Sequence, residues 1–139
     1  MKLGRLNHVG VATPSIENSV ALYRDLLGAT QVGDAFDLPA QGVRVCFVDA
    51  PNCQIELIEP LGADSPIRSF LAKNPLGGQH HVCLEVPDIH AAKAWFEGKG
   101  VHVLGEPRIG AHGTLIFFLH PKDMGGVLTE IMESPKQAH

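Results

Sequence analysis

The amino-acid sequence predicts an α+β fold in which two tandem βαβββ modules form a curved mixed sheet around a cleft. The first reason is an internal repeat, because Gln79–Val86 resembles Asn7–Thr13 and both stretches lead into a Pro-led turn and an amphipathic helix. The second is that the two halves end alike, in the Glu-containing stretches Cys53–Glu59 and Val127–Glu133. One such module cannot bury both faces of its sheet, so two are expected to pair and enclose a cleft.

Length and composition predict one domain over residues 1–139. In it, module 1 covers about residues 3–60, a linker 61–78 and module 2 about 79–133. A net charge of −4 gives no electrostatic reason to expect nucleic acid or an anionic membrane as a partner. No apolar run approaches the roughly 20 residues of a membrane-spanning helix. Residues 1–4 lack the apolar core of a signal peptide, so a cytoplasmic protein, or one delivered already processed, is expected.

The three cysteines are odd in number and have no CxxC spacing. We interpret Cys46, Cys53 and Cys83 as small buried residues in strands, and we expect no disulfide framework or zinc knuckle.

The first module is predicted to begin with a strand, Leu3–Thr13, followed by a helix with Ser15 as its N-cap and Gly28 as its stop. Apolar residues at helical spacing predict one buried stripe on this helix: Ile16, Val20, Tyr23, Leu26 and Leu27. A short strand, a connector and a hairpin of two strands are expected next, at Ala29–Val32, Gly33–Gly42, Val43–Asp49 and Cys53–Glu59.

The linker is predicted to hold a short helix with Ser65 as its N-cap and Pro66 at its first position. The second module then repeats the first, with Asp88 capping a helix that runs to about Lys99 and has Gly100 as its stop. Its strands are predicted at His80–Val86, Val101–Leu104, Thr114–Leu119 and Val127–Met132. A glycine-containing loop is expected at Gly105–Gly113, and the tail, residues 134–139, is expected to fray.

Two His/Glu pairs occupy equivalent positions in the two modules. His8 precedes Glu56 by 48 residues, and His81 precedes Glu130 by 49. Two imidazoles and two carboxylates suit a divalent ion such as Co²⁺, Ni²⁺, Zn²⁺ or Mn²⁺. The absence of a thiolate from this set argues against structural zinc. The repeat therefore predicts a metal site with His8, Glu56, His81 and Glu130 as ligands.

Each module also contains an alternative ligand. His80 adjoins His81, but it aligns with Asn7 and, by alternation, points to the opposite face of its strand. Gln54 shares a strand face with Glu56, which we prefer because it matches Glu130 and carries charge.

Several segments together resemble the vicinal oxygen chelate superfamily, which includes glyoxalases and bleomycin resistance proteins. Within it, the chain is similar to the methylmalonyl-CoA epimerase family over almost its full length. The segments are Asn7–Ala12, Ile55–Leu61, Asp64–Ile67, Gly78–Val86, Ile109–Gly113, His120–Asp123 and Gly126–Glu130.

The resemblance implies a divalent metal cofactor, with Co²⁺ favoured, an acyl-CoA substrate and a homodimer. It also implies that a proton is removed from C2 of the substrate and returned to it. Glu130 is then the preferred base, and Glu56 is a candidate for the second acid–base group. Some family members place a carboxylate on the strand that matches Val43–Val48, where our alignment has Arg44. His112 and Lys122 lie in loops that could meet the substrate.

Other functions remain open at this stage. A glyoxalase I-like lactoylglutathione lyase shares the expected metal site, and a non-catalytic binding protein shares the fold. An Fe(II) ring-cleaving dioxygenase is disfavoured by the extra carboxylate of Glu56. A metal-free α+β dimer is the fourth alternative.

Overall fold

The computed structural model describes residues 1–136. In this part of the chain, the order strand, helix and three strands occurs twice, which confirms the predicted α+β class with two βαβββ modules. The strands are β1 Leu6–Ala12, β2 Phe36–Leu38, β3 Val43–Asp49, β4 Gln54–Pro60, β5 Gly78–Val86, β6 Val103–Ile109, β7 Leu115–Leu119 and β8 Thr129–Glu133. The helices are α1 Ile16–Leu27, α2 Arg68–Lys73 and α3 Ile89–Gly98. Within residues 1–136, no helix is long and apolar enough to cross a membrane.

The chain forms two compact units, one of residues 8–80 and one that joins residues 1–7 to the chain from His81 onward. In the unit of residues 8–80, the strand order is β2-β3-β4-β1. β1 and β4 run parallel, whereas β3 is antiparallel to both β2 and β4. In the other unit, the order is β5-β8-β7-β6, and β5 and β8 are the parallel pair. The same mixed arrangement is thus built twice.

Helix α1 begins and ends as predicted. The Ser15 hydroxyl accepts a hydrogen bond from the Asn18 backbone N–H, and Gly28 ends the helix with φ of 69°. Its buried residues pack against apolar side chains of β3 and β4: Ile16 and Val20 against Cys46, Val48 and Leu57. The predicted stripe is wrong at its far end, because Leu26 and Leu27 are 75% and 73% exposed.

The edge of β3 is covered by two short pieces of chain. The predicted strand Ala29–Val32 is reduced to a single bridge between Val32 and Val48. β2 lies instead within the predicted connector, where Phe36–Leu38 pairs with β3. Because β2 has only three residues, no alternating pattern could reveal it.

The linker helix starts later than predicted. Its first residue is Arg68, its N-cap is Ile67, and no side chain caps it. The Ser65 hydroxyl donates instead to the Gly42 carbonyl at 2.6 Å. Ser65 therefore fastens the linker to the turn before β3, and the prediction of Ser65 as N-cap and Pro66 at the first helical position is wrong.

Helix α3 packs on the strands β5-β8-β7-β6 as α1 packs on the strands β2-β3-β4-β1. The Asp88 carboxylate caps it by accepting from the His90 and Ala91 backbone N–H groups. Its buried residues meet the apolar face of β7 and β8: Ile89 and Ala92 against Phe117, Leu119 and Ile131. β6 continues to Ile109, so the predicted Gly105–Gly113 loop begins too early. Strand β6 continues through Gly105 because its pairing with β7 is irregular between Leu104 and Arg108, and this irregularity accommodates the glycine.

The last strand of each module also anchors the start of that module's helix. A Glu59 carboxylate oxygen accepts from the Ile16 N–H at 3.2 Å, and a Glu133 oxygen accepts from the Ile89 N–H at 3.0 Å. These carboxylates satisfy N–H groups that a helix leaves open in its first turn.

Residues 1–7 are attached through Glu85 to the unit that contains the chain from His81 onward. The Gly4 N–H donates to the Glu85 carbonyl at 2.9 Å, and the Glu85 N–H donates to the Arg5 carbonyl at 3.0 Å. The buried Glu85 carboxylate also accepts from Asn7 Nδ2 at 2.9 Å. At the other end, the Ser134 N–H donates to the Val86 carbonyl at 2.8 Å, so the described tail is attached at that point. The prediction of fraying extends to residues 137–139, which lie outside the described residues.

Candidate metal centre

The first His/Glu pair lies on the two parallel strands β1 and β4. Glu56 is the Cα partner of Gly10, and His8 precedes Gly10 by two residues, so both side chains are on one face of the sheet. His8 Nε2 lies 3.6 Å from Glu56 Oε2. Both residues are buried, with 0% and 6% exposure. Leu57, the next residue on β4, packs on the opposite face with α1.

The second pair repeats this geometry on β5 and β8. Glu130 is the Cα partner of Cys83, which follows His81 by two residues. His81 Nε2 lies 3.1 Å from Glu130 Oε1, and the residues are 5% and 6% exposed. The His81 ring meets the Phe118 ring edge-on, with centroids 5.5 Å apart. In both modules, therefore, the His lies two residues before the partner of the Glu.

Each pair combines two kinds of metal-ligating side chain. Imidazole nitrogen and carboxylate oxygen are both ligands that divalent first-row ions accept. Carboxylates are rarely buried without a compensating partner, so two buried Glu side chains in equivalent positions call for a common explanation. The described residues include His/Glu groups suited to a divalent metal ion.

The two alternative ligands have other contacts. His80 is half-buried, and its ring lies edge-on to Phe70 with centroids 5.3 Å apart. Gln54 Nε2 donates to Asp49 Oδ1 at 2.7 Å. The structure thus brings His81 to Glu130 and His8 to Glu56.

Arg44 faces away from the His8/Glu56 pair. Its guanidinium donates to Glu17 on α1 at 2.7 Å and lies 3.6 Å from Glu59. The hydrogen bond from Arg44 holds the pKa of the Glu17 carboxyl below its ordinary value. On β3, the Cα partner of Glu56 is Phe47, which projects to the face opposite Arg44. Arg44 is therefore a structural cation of the helix side, and it does not replace an acid–base carboxylate on the other face.

The loop residues singled out in the sequence are half-buried or exposed. His112 is half-buried in the connection between β6 and β7. Lys122 is exposed in a 3₁₀ turn, where its backbone N–H donates to His120 Nδ1 at 3.0 Å. The neighbouring Asp123 accepts from the His102 backbone N–H at 2.8 Å, and this bond holds the pKa of Asp123 below its ordinary value. Asp123 thus ties the turn to the start of β6.

The cysteines are free, as expected from their spacing. Cys46 and Cys83 are buried in β3 and β5, as predicted, whereas the prediction is wrong for Cys53, which is half-buried and lies just before β4. Burial raises the pKa of the Cys46 thiol, which is consistent with a neutral packing residue.

The chain belongs to the Glyoxalase/Bleomycin resistance protein/Dioxygenase superfamily, whose family model matches residues 7–118. It is 53% identical over 134 residues to the mitochondrial methylmalonyl-CoA epimerase of Mus musculus, covering 96% of this chain and 75% of the relative. It is also 53% identical over 131 residues to an ethylmalonyl-CoA/methylmalonyl-CoA epimerase of Cereibacter sphaeroides, covering 93% of this chain and 97% of the relative.

A solved structure has the same fold. It is a variant of Streptomyces coelicolor methylmalonyl-CoA epimerase in complex with 2-nitronate-propionyl-CoA. Its TM-score is 0.87 at 37% sequence identity, and the match covers 97% of this chain and 100% of that chain. The likeness extends over both βαβββ modules, in agreement with the fold class predicted from the repeat.

Proposed function

We propose that this protein is a metal-dependent epimerase that interconverts (R)- and (S)-methylmalonyl-CoA by removing and returning the proton on C2. The observation that carries the proposal is the pair of buried His/Glu contacts in equivalent register in the two modules. Support for the substrate comes from relatives that are 53% identical over nearly the whole chain and are methylmalonyl-CoA epimerases by name. The 2-nitronate-propionyl-CoA in the Streptomyces coelicolor structure is further support.

In this proposal, His8, Glu56, His81 and Glu130 together hold one divalent ion. Two carboxylates contribute a charge of −2, which balances the ion, while neutral imidazoles complete the set. Co²⁺ is the ion we favour, and Zn²⁺, Ni²⁺ and Mn²⁺ accept the same ligands. When bound, the ion supplies electrophilic stabilisation for negative charge that develops on the substrate oxygens.

Glu130 is proposed to move the C2 proton. Glu130 is 6% exposed, and its strand neighbours on the same face of the unit include the apolar residues Cys83, Phe118 and Met132. These apolar neighbours limit the access of bulk water to the proposed base. Glu56 is the proposed second acid–base group, since it is the equivalent buried carboxylate of the other module.

The metal test compares two adjacent histidines. His81→Ala should weaken divalent-ion binding more than 100-fold, because it removes a ligand directly, and loss of an outer partner alone already costs 10- to 100-fold. His80→Ala is the matched control, since His80 lies against Phe70, and it should change affinity less than threefold. Competition titration with Co²⁺ and elemental analysis measure both. The reverse order of effects would show that the ligand register is wrong.

The substrate test compares two isomerase reactions. We expect turnover of methylmalonyl-CoA and none of the glutathione hemithioacetal that a glyoxalase I-like enzyme converts. The opposite preference would replace the epimerase proposal with lactoylglutathione lyase activity. Binding of either compound without turnover would favour a non-catalytic binding protein.

We also propose a homodimer with one complete metal site in each chain, because one chain carries all four proposed ligands. Light scattering at micromolar concentration should give twice the chain mass of 14.9 kDa, and a mass of one chain would contradict the dimer. A cytoplasmic location stays a prediction from the sequence.

A further inference from the structure

Arg108 is a cation on the same face of its unit as His81 and Glu130. Its guanidinium carbon lies 5.7 Å from the centre of the Phe118 ring. Phe118 is the Cα partner of Glu130, and its ring centre is 5.5 Å from that of His81. One aromatic ring therefore separates the Arg108 guanidinium from the His81 imidazole.

The irregular part of β6 holds this guanidinium in place. Arg108 Nη1 donates to the Leu104 carbonyl at 3.3 Å and to the Glu106 carbonyl at 3.4 Å. Gly105, with φ of +83°, bends the backbone between these two carbonyls. A Cβ atom at this position would lie 3.5 Å from Nη1. The two backbone carbonyls thus hold Nη1 in place without neutralising the positive charge of the guanidinium.

The charge of Arg108 is left without a carboxylate partner within residues 1–136. Three other cations do have carboxylate partners: Arg5 lies 3.4 Å from Glu85, Arg44 2.7 Å from Glu17 and Lys93 3.0 Å from Glu97. Arginine carries five N–H donors in a fixed fork, and the two carbonyls engage only Nη1. Nε and Nη2 remain to bind a ligand, and Arg108 is exposed.

We infer that Arg108 binds an anionic group of the acyl-CoA substrate, either its carboxylate or one of its phosphates. The inference rests on the proposed function for the identity of the substrate. A guanidinium matches the geometry of carboxylate and phosphate oxygens and forms charge-assisted hydrogen bonds with them. In a chain of net charge −4, a local cation offsets the repulsion of an anionic substrate. The Phe118 ring lies on one side of the guanidinium, at 5.7 Å, and this cation–π contact helps to orient it.

The test measures substrate affinity directly, by calorimetry on the metal-loaded protein. Arg108→Met keeps an apolar stem over Phe118 but removes the charge and the donors. Its Kd for methylmalonyl-CoA should rise about 10- to 100-fold, as expected for the loss of hydrogen bonds to a charged group. Arg108→Lys keeps the charge without the fork and should lose less. Lys93→Met removes the same charge on the helix side, at the Glu97 pair, and should leave Kd unchanged within twofold.

Two further ligands identify which anion is bound. Propionyl-CoA lacks the substrate carboxylate, and methylmalonyl-pantetheine lacks the CoA phosphates. If Arg108 binds the carboxylate, Arg108→Met weakens methylmalonyl-pantetheine and leaves propionyl-CoA unchanged. If it binds a phosphate, the pattern is reversed.

The inference is overturned if Arg108→Met binds all three thioesters as tightly as the unmodified protein does. Thermal denaturation verifies that the variant is folded, and Arg108→Gln replaces it if it is not. Failure of the proposed function can be distinguished from failure of this inference. In that case, the unmodified protein would bind methylmalonyl-CoA without exchanging its C2 proton, whatever the Kd of the Arg108 variants.

Discussion

Replacement of Glu130 by Gln separates its two proposed roles, as a metal ligand and as a base. The substitution keeps the size of the side chain and one ligating oxygen but removes the basic carboxylate. Loss of a general base typically costs about 10²–10⁴-fold in rate, which corresponds to roughly 3–5 kcal/mol in the activation free energy. We therefore expect Glu130→Gln to retain metal, with weaker affinity, and to lose exchange at C2 by that factor.

Glu56→Gln is the matched control because the structure makes the two changes equivalent. Both residues are 6% exposed, and both occupy the same register in their module. Each carboxylate lies beside an imidazole Nε2, at 3.6 Å for Glu56 and 3.1 Å for Glu130. Their costs in folding and in metal affinity should therefore be similar. A difference in C2–H exchange between the two variants then reports the chemistry at Glu130. Glu56→Gln should keep exchange of the proton that Glu130 removes, whereas epimerisation should fall because Glu56 is the proposed second acid–base group.

The assay is C2–H exchange in D₂O, with the metal content of each variant measured, since an empty site would imitate a missing base. A metal-replete Glu130→Gln protein with near-normal exchange would refute the assignment of Glu130 as the base. Equal losses in the two metal-replete variants would mean that the carboxylates share proton transfer.

Two further predictions concern stability. Glu133→Ala should lower the free energy of unfolding in urea by about 1 kcal/mol, because the first-turn N–H of Ile89 loses its acceptor; an unchanged midpoint would contradict this role. Asp123→Asn should lower the melting temperature at pH 7. Because the pKa of Asp123 is depressed in the folded state, its contribution is present above the ordinary value of 3.8 and is lost as the pH falls through the folded pKa. The two melting temperatures should therefore converge in acid, and a constant gap down to pH 2 would contradict the argument.

The His/Glu pairs were predictable because the sequence is duplicated. A single His or Glu on a strand is weak evidence for a metal ligand, whereas the same pair at equivalent positions of two modules is strong evidence. Alternation along β1 and β5 then decided which neighbouring His faces the Glu. The same reasoning failed at Leu26 and Leu27, since helical spacing states which side a residue faces and not how far the sheet extends beneath it. Ser65 was misassigned because its hydroxyl found an acceptor distant in sequence, the Gly42 carbonyl.

Features that depend on pairing between distant segments were not visible in the sequence. Glu59 and Glu133 accept from helices more than 40 residues away, and nothing local in their strands indicates this. Arg108 was hidden because the glycine and proline before it indicate a loop, whereas the chain there continues as an irregular strand. Its position over Phe118 appears only once β6 and β7 are paired.

The central claim, metal-dependent removal and return of the C2 proton, is tested most directly by proton NMR of methylmalonyl-CoA in D₂O with the protein. The metal-loaded protein should abolish the C2–H signal, removal of the metal by a chelator should preserve that signal, and added Co²⁺ should restore the exchange. Undiminished exchange in protein verified to be metal-free would contradict the role of the metal, and no exchange in fully loaded protein would contradict the reaction itself.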